Sequence, residues 1–122
     1  AARVALGPHL PPLYTDDDAL AADILAASDR VKDPVWRMPL WAPYAEALDS
    51  DIADMRNDSA VWAQAGSVTA ALFLKAFAPG CGSWAHMDIF AWNPRARAGW
   101  PQGGEVQAMR ACFEMLKTRY PG

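Results

Sequence analysis

Ten prolines cut this 122-residue chain into short pieces, and their positions constrain its fold more than any other feature. A proline ring fixes φ and removes a backbone donor, so it ends helices and avoids central strands. Pro8, Pro11 and Pro12 keep the region after the opening segment out of a helix. Pro34 closes the first long helical window. Residues 34–43 then hold three prolines and two tryptophans, which predicts an extended segment laid over a surface. Pro43 suits the first position of a short helix through Leu48, closed by Asp49-Ser50-Asp51. Pro79-Gly80 stops a later helix, and Pro94 bounds a strand.

Between these stops the apolar spacing supplies the elements. Thr15 reads as an N-cap, with Asp16, Asp17 and Asp18 in a first turn whose dipole favours each carboxylate by roughly 0.3–1 kcal/mol. Consecutive carboxylates on one turn point apart, so the triplet reads as a helix start rather than a metal cluster. Leu20, Ile24, Ala27 and Val31 give helix 18–31 one apolar face. Residues 66–77 are apolar almost all round, which predicts a helix buried between layers. Its Gly66, Ala70 and Ala71 are small enough for another backbone to approach. Trp84–Trp92 reads as one strand, the Gly-rich stretch 99–104 as a flexible connector, and 105–119 as a last helix. Val106, Met109, Phe113, Leu116 and Tyr120 form the apolar stripe of that helix. The opening Ala1–Gly7 reads as a strand or strand edge, and as the middle of a longer polypeptide. The sum is an α/β fold, a partial layered unit with few strands and several helices, here one segment spanning 1–122.

Composition narrows the partners. Apolar residues make up 52% of the chain, but 25 of them are Ala, so the core is modest. The net charge of −3 gives no general affinity for nucleic acid. Residues 1–58 carry 11 acids and 5 bases, residues 59–122 carry 3 acids and 6 bases. That asymmetry either helps the halves pack or solvates two faces, and the second is the simpler account. No apolar run reaches the roughly 18–20 residues of a membrane span, and the start lacks a signal-peptide layout. Two cysteines, Cys81 and Cys112, are too few for a disulfide scaffold and suit a reducing cytosolic setting.

The residues alone do not complete an active site. His86 and Asp88 stand two apart on a strand and so face one side, as a metal or His–carboxylate pair would. Catalytic zinc takes about three protein ligands, and the spacing of Asp54, Asp58 and Cys81 matches no metal motif. The simpler reading is that His86 and Asp88 satisfy each other, or backbone groups, beside Trp84. Ser67 lacks the strand–Gly-x-Ser-x-Gly turn of an activated serine, and Cys112 sits beside the last helix's apolar stripe.

Five stretches in order nevertheless resemble one family. They are Ala1-Ala2-Arg3-Val4-Ala5-Leu6-Gly7, Trp36-Arg37-Met38-Pro39-Leu40, Ser50–Asn57, Ala65–Leu74 and Trp84-Ala85-His86-Met87-Asp88-Ile89. Together they resemble the C-terminal part of the catalytic domain of the cytosolic leucyl aminopeptidases, in a form that looks like a bacterial subgroup. The resemblance implies a cytoplasmic two-metal exopeptidase acting on peptides, assembled as a homohexamer. Its two divalent ions, zinc or manganese, would activate water and polarise the scissile carbonyl. The family's ligand and catalytic motif, N-T-D-A-E-G-R, is not in this sequence. The expectation is therefore no catalytic residue, no metal ligand and no bound ion within this segment, which alone would be inactive. The alternative is a non-catalytic structural or oligomerisation unit.

What the resemblance carries over is the substrate-binding wall: Asp58, Phe90 and Asn93. Relatives have an apolar residue at the first position, Ala at the second and often Met at the third. Phe in place of Ala fills the pocket for the substrate's first side chain and disfavours a bulky one. Alternatively, Phe90 turns into the core because the strand is shifted. Residues 58–64 also lack the family's usual glycines, so that loop is expected to differ.

Overall fold

Leu13 and Tyr14 are adjacent, fully buried and on opposite faces of one strand, and the fold is built around them. In the computed structural model, which describes residues 1–59, 61–78, 80 and 82–122, strand β1 (Pro12–Tyr14) is central in a three-stranded sheet of order β2-β1-β3. β2 (Trp36–Arg37) runs parallel to it and β3 (His86–Met87) antiparallel. Leu13 pairs with both Arg37 and Met87, and Tyr14 pairs with His86. Leu13 enters a core with Leu20, Ile24, Val35, Ala108 and Met115. Tyr14 enters a second core with Leu48, Val68, Ala71 and Leu72. The result is an α/β unit of helices on both faces of a short sheet.

The first face carries α2 (Asp18–Val31) packed on α4 (Met109–Arg119). α2 has the bounds its periodicity predicts, but its cap is Asp17, whose side chain accepts the Leu20 N–H at 2.9 Å. Thr15 instead accepts the Asp17 N–H and donates to the Trp84 carbonyl, tying helix start to sheet. The second face carries α3 (Gly66–Lys75) packed on a 3₁₀ helix (Ala42–Leu48). The segment expected to be extended is so through Trp41, with Trp36 and Trp41 exposed on it, and its last two residues already belong to the 3₁₀ helix.

Several expectations fail for identifiable reasons. Ala1–Gly7 is not a strand: Ala2–Leu6 forms α1, a short helix of good helix formers stopped by Gly7 at φ 77. Trp84–Trp92 is not one strand, because its partner β1 offers only three residues. Ala91, at φ 58, turns the chain away, and Trp92–Asn93 (β4) pairs with Gly103–Gly104 (β5) in a separate ribbon. The Gly-rich stretch is therefore partly ordered ladder rather than free connector. The last helix starts at Met109, since Glu105 and Gln107 serve other contacts.

Its expected core stripe faces outward: Phe113 is 63% and Tyr120 73% exposed, while Ala108 and Met115 join the α2 residues in the core and Ala111 is buried. Similarly, α3 buries Val68, Ala71 and Leu72 but leaves Ala70 and Leu74 exposed, so one side rather than most sides is covered. Among the described residues no helix is long and apolar enough to cross a membrane. The helix stop expected at Pro79 and the readings of Cys81 fall outside the described residues.

Candidate functional site

Where the chain leaves β3, Asp88, Ile89 and Phe90 face the opening segment Ala1–Arg3 across a cavity of about 300 Å3, with Pro11 and Pro12 along one wall. Sequence order separates these segments by most of the chain. The antiparallel pairing of β3 on β1 brings them together, with the Asp88 N–H donating to the Pro12 carbonyl at 3.2 Å. The Arg3 guanidinium stacks on the Phe90 ring, 4.4 Å from its centroid, and so stiffens an aromatic wall.

Gln107 holds this wall in place. It is buried, its Oε1 accepts the Phe90 N–H at 3.1 Å and the Ala91 N–H at 3.2 Å, and its Nε2 donates to the Pro8 carbonyl at 2.8 Å. One side chain therefore joins the strand exit, the turn after it and the proline segment. Sequence reasoning misses Gln107, which the expected helix 105–119 places in its first turn. The only signal was its place just behind a Gly-Gly pair.

Behind the cavity lies a string of hydroxyls. The Ser67 hydroxyl donates to Asp88 Oδ2 at 3.0 Å, since a carboxylate only accepts. Its single proton being used there, Ser67 must accept from the Tyr14 hydroxyl at 2.5 Å. Burial pushes the Tyr14 phenol above its ordinary value, the Ser67 bond opposes this, and the Asp88 charge adds to it, so Tyr14 stays a neutral donor. His86 does not bond Asp88 among these contacts. Its ring lies stacked between Tyr14, at 6.2 Å, and Trp84, at 6.3 Å. Burial holds its pKa below the ordinary imidazole value, with Asp88 opposing. The pair that the alternating spacing suggested thus splits, Asp88 to the hydroxyl string and His86 to an aromatic stack. Ser67, with its proton on a carboxylate and no imidazole bonded to it, is not an activated nucleophile.

The three residues named for the substrate wall do not share one cavity. Phe90 lines the one just described. Asp58 is exposed, pairs with Arg56 at 3.4 Å, and lines a second cavity of about 500 Å3 with Asn57, Trp62, Gly66, Thr69 and Phe73. Asn93 is 1% exposed, with its amide held inside the β4–β5 ribbon. Its Nδ2 donates to the carbonyls of Trp100 and Pro101 at 3.0 and 2.8 Å, and its Oδ1 accepts from Arg97 at 2.9 Å. Gly66 meets the start of the chain: a Cβ there would stand 3.3 Å from that of Ala1, the close approach its small size predicts.

Among the described residues no three His, Cys, Asp or Glu side chains gather as a metal donor set. Asp88 and His86 are committed as above, so the described residues do not make up a donor set for a divalent ion.

Comparison with known proteins follows the same division. Residues 1–113 match the family model described as the cytosol aminopeptidase family, catalytic domain. The chain is 42% identical over 120 residues to a probable cytosol aminopeptidase of Roseiflexus castenholzii, covering 96% of this chain and 24% of that protein. The crystal structure of a cytosol aminopeptidase from Coxiella burnetii superposes with a TM-score of 0.90 at 48% identity, over 98% of this chain and 26% of that one. The bottromycin maturation enzyme BotP, in complex with Mn, gives 0.87 at 37% identity over 98% of this chain and 26% of its own. The chain spans about a quarter of the length of these relatives. With nearly its whole length matched by one family's catalytic domain, the chain belongs to the cytosol aminopeptidase family.

Proposed function

We propose that this chain is the C-terminal part of the catalytic domain of a cytoplasmic, metal-dependent aminopeptidase that releases N-terminal amino acids from peptides. The observation that carries the reading is the cavity between Ala1–Arg3 and Asp88–Phe90, formed by two of the segments on which the family resemblance rests. The name shared by the relatives supports the reaction and the compartment, and manganese in the BotP complex supports a divalent ion, zinc or manganese.

The donor set for such ions is proposed to lie on residues outside this chain, which alone would be inactive. What these residues do is shape and hold a cleft. Phe90, backed by Arg3, narrows the space for the first side chain of a peptide. Gln107 and the Asp88–Ser67–Tyr14 string fix the backbone that presents Phe90. Asp58 would contact the second substrate residue from its own cavity, and Asn93 would act on the substrate wall by holding the ribbon that follows Phe90.

The test is hydrolysis of aminoacyl-p-nitroanilides by a full-length polypeptide containing this chain, with Mn or Zn, before and after chelation. Chelator-sensitive turnover is expected; its absence would overturn the reading. The outward apolar face of α4 favours a second reading, an assembly unit in a homo-oligomer such as a hexamer. Hydrodynamic mass of the 122-residue chain, measured with and without added Mn, tests it: association without ion binding is the expected result.

A further inference from the structure

Gln107 and Pro11 also border a third concavity, about 230 Å3, whose polar walls come from the end of α2, the start of α4 and the β4–β5 ribbon. Its two acids are fully engaged. Asp33 is buried, with one carboxylate oxygen accepting the Ala108 N–H and the other the Ala111 N–H, both at 3.1 Å. Glu105 receives both terminal nitrogens of Arg97, at 3.3 and 2.7 Å. The Ala108 and Ala111 N–H groups and the terminal nitrogens of Arg97 are therefore also occupied.

Two cations in the same walls are not. Neither Lys32 nor Arg110 has a carboxylate within 4.0 Å among the described residues. The one hydrogen bond Arg110 makes there is a long one, 3.4 Å, to the Lys32 carbonyl. Arg110 is nevertheless held in place. Its guanidinium carbon lies 5.0 Å from the centroid of Trp100, a ring that Arg97 also approaches at 5.2 Å. The cation–π contact holds the guanidinium over the ring, and among the described residues most of its five N–H donors have no partner, leaving them free to grip two oxygens of one oxyanion.

The geometry points to a binding site for a small oxyanion, a carboxylate or a phosphate group, held by Arg110 with Lys32 beside it and Trp100 as its floor. The cavity is below the roughly 300–1,000 Å3 of a pocket for a drug-sized ligand, which suits a small acid or phosphate monoester rather than a nucleotide. The site does not rest on the aminopeptidase reading, because none of its residues enters that argument as a substrate contact.

The test is an NMR titration of the 15N-labelled 122-residue chain with sodium phosphate and, separately, sodium succinate, each against sodium chloride at matched ionic strength. Saturable shifts of the Trp100 indole N–H and the Arg110 Nε–H are expected with at least one probe, and the tighter probe names the oxyanion. Arg110→Gln should weaken binding at least about tenfold, Lys32→Gln should weaken it less, and Arg95→Gln, a cation elsewhere on the surface, should leave it unchanged. Among the described residues the Lys32 side chain makes no hydrogen bond or ion pair, so its variant decides the matter if Arg110→Gln unfolds. Shifts no different from chloride with both probes would overturn the site. So would binding unaffected by whichever of the two variants folds.

Discussion

Tyr14 and Ser67, 53 positions apart, share a 2.5 Å hydrogen bond in the core, and through Ser67 the central strand is tied to the Asp88 carboxylate at the cavity wall. Removing Ser67 strands a buried phenol, whereas removing the phenol leaves Ser67 its acceptor. Ser67→Ala should therefore cost about 1–3 kcal/mol and Tyr14→Phe about 1 kcal/mol. Urea unfolding of the two variants and the double variant checks this; equal losses would contradict the direction of the bonds.

Asp33 caps α4 from 75 positions away in sequence, with both oxygens bonded. Asp33→Ala should lower stability by about 2 kcal/mol, the upper range for a cap, and raise amide exchange at Ala108 and Ala111 before it does so in α2. Thermal unfolding and hydrogen exchange read the two effects separately.

Gln107→Ala leaves two N–H groups and one carbonyl without their partner. The expected loss is about 2–3 kcal/mol, with selective loss of exchange protection at Phe90 and Ala91. Gln107→Glu keeps the acceptor but, ionised, loses the bond to Pro8. Its exchange at Phe90 and Ala91 should stay close to that of the parent.

Stability should also fall on acidification through a single imidazole. Burial places the folded His86 below its ordinary 6.5, so the unfolded chain takes up the proton first. The contribution of neutral His86 is full above 6.5 and is lost progressively as pH drops below it. The converse holds for Tyr14, raised by burial above its ordinary 10.0: stability declines as pH rises past that point. Unfolding free energies of parent and His86→Gln between pH 5 and 7.5 test the first, with a shallower slope expected in the variant.

Phe90→Ala should widen the cavity that Arg3 and Phe90 narrow. In a full-length polypeptide containing this chain, the ratio of kcat/KM for Leu- over Ala-p-nitroanilide should rise at least about tenfold. An unchanged ratio would place Phe90 outside the first side-chain pocket.

Local chemistry made some of this legible in advance. α2 has its predicted limits because an acidic first turn, a clean apolar period and Pro34 all act within one segment. The failures share a different origin. Whether Trp84–Trp92 forms one strand depends on how many residues β1 presents, which nothing in 84–92 records. Likewise, the periodicity of 105–119 marks an apolar face but not which face α2 selects. Ala108 and Met115 hold that contact, and Phe113 and Leu116 are left exposed. Gln107 was invisible because its three partners are backbone groups, and backbone groups leave no residue-type signature.

Neighbouring positions on a strand of three residues seed the packing on either side of the sheet. A slip of a single position there would send the isobutyl group and the phenol each to the opposite side, so neither layer can be rebuilt while the other is kept. The two layers are thereby bound to one alignment, and evolution can revise the helices above or below only in ways that spare it.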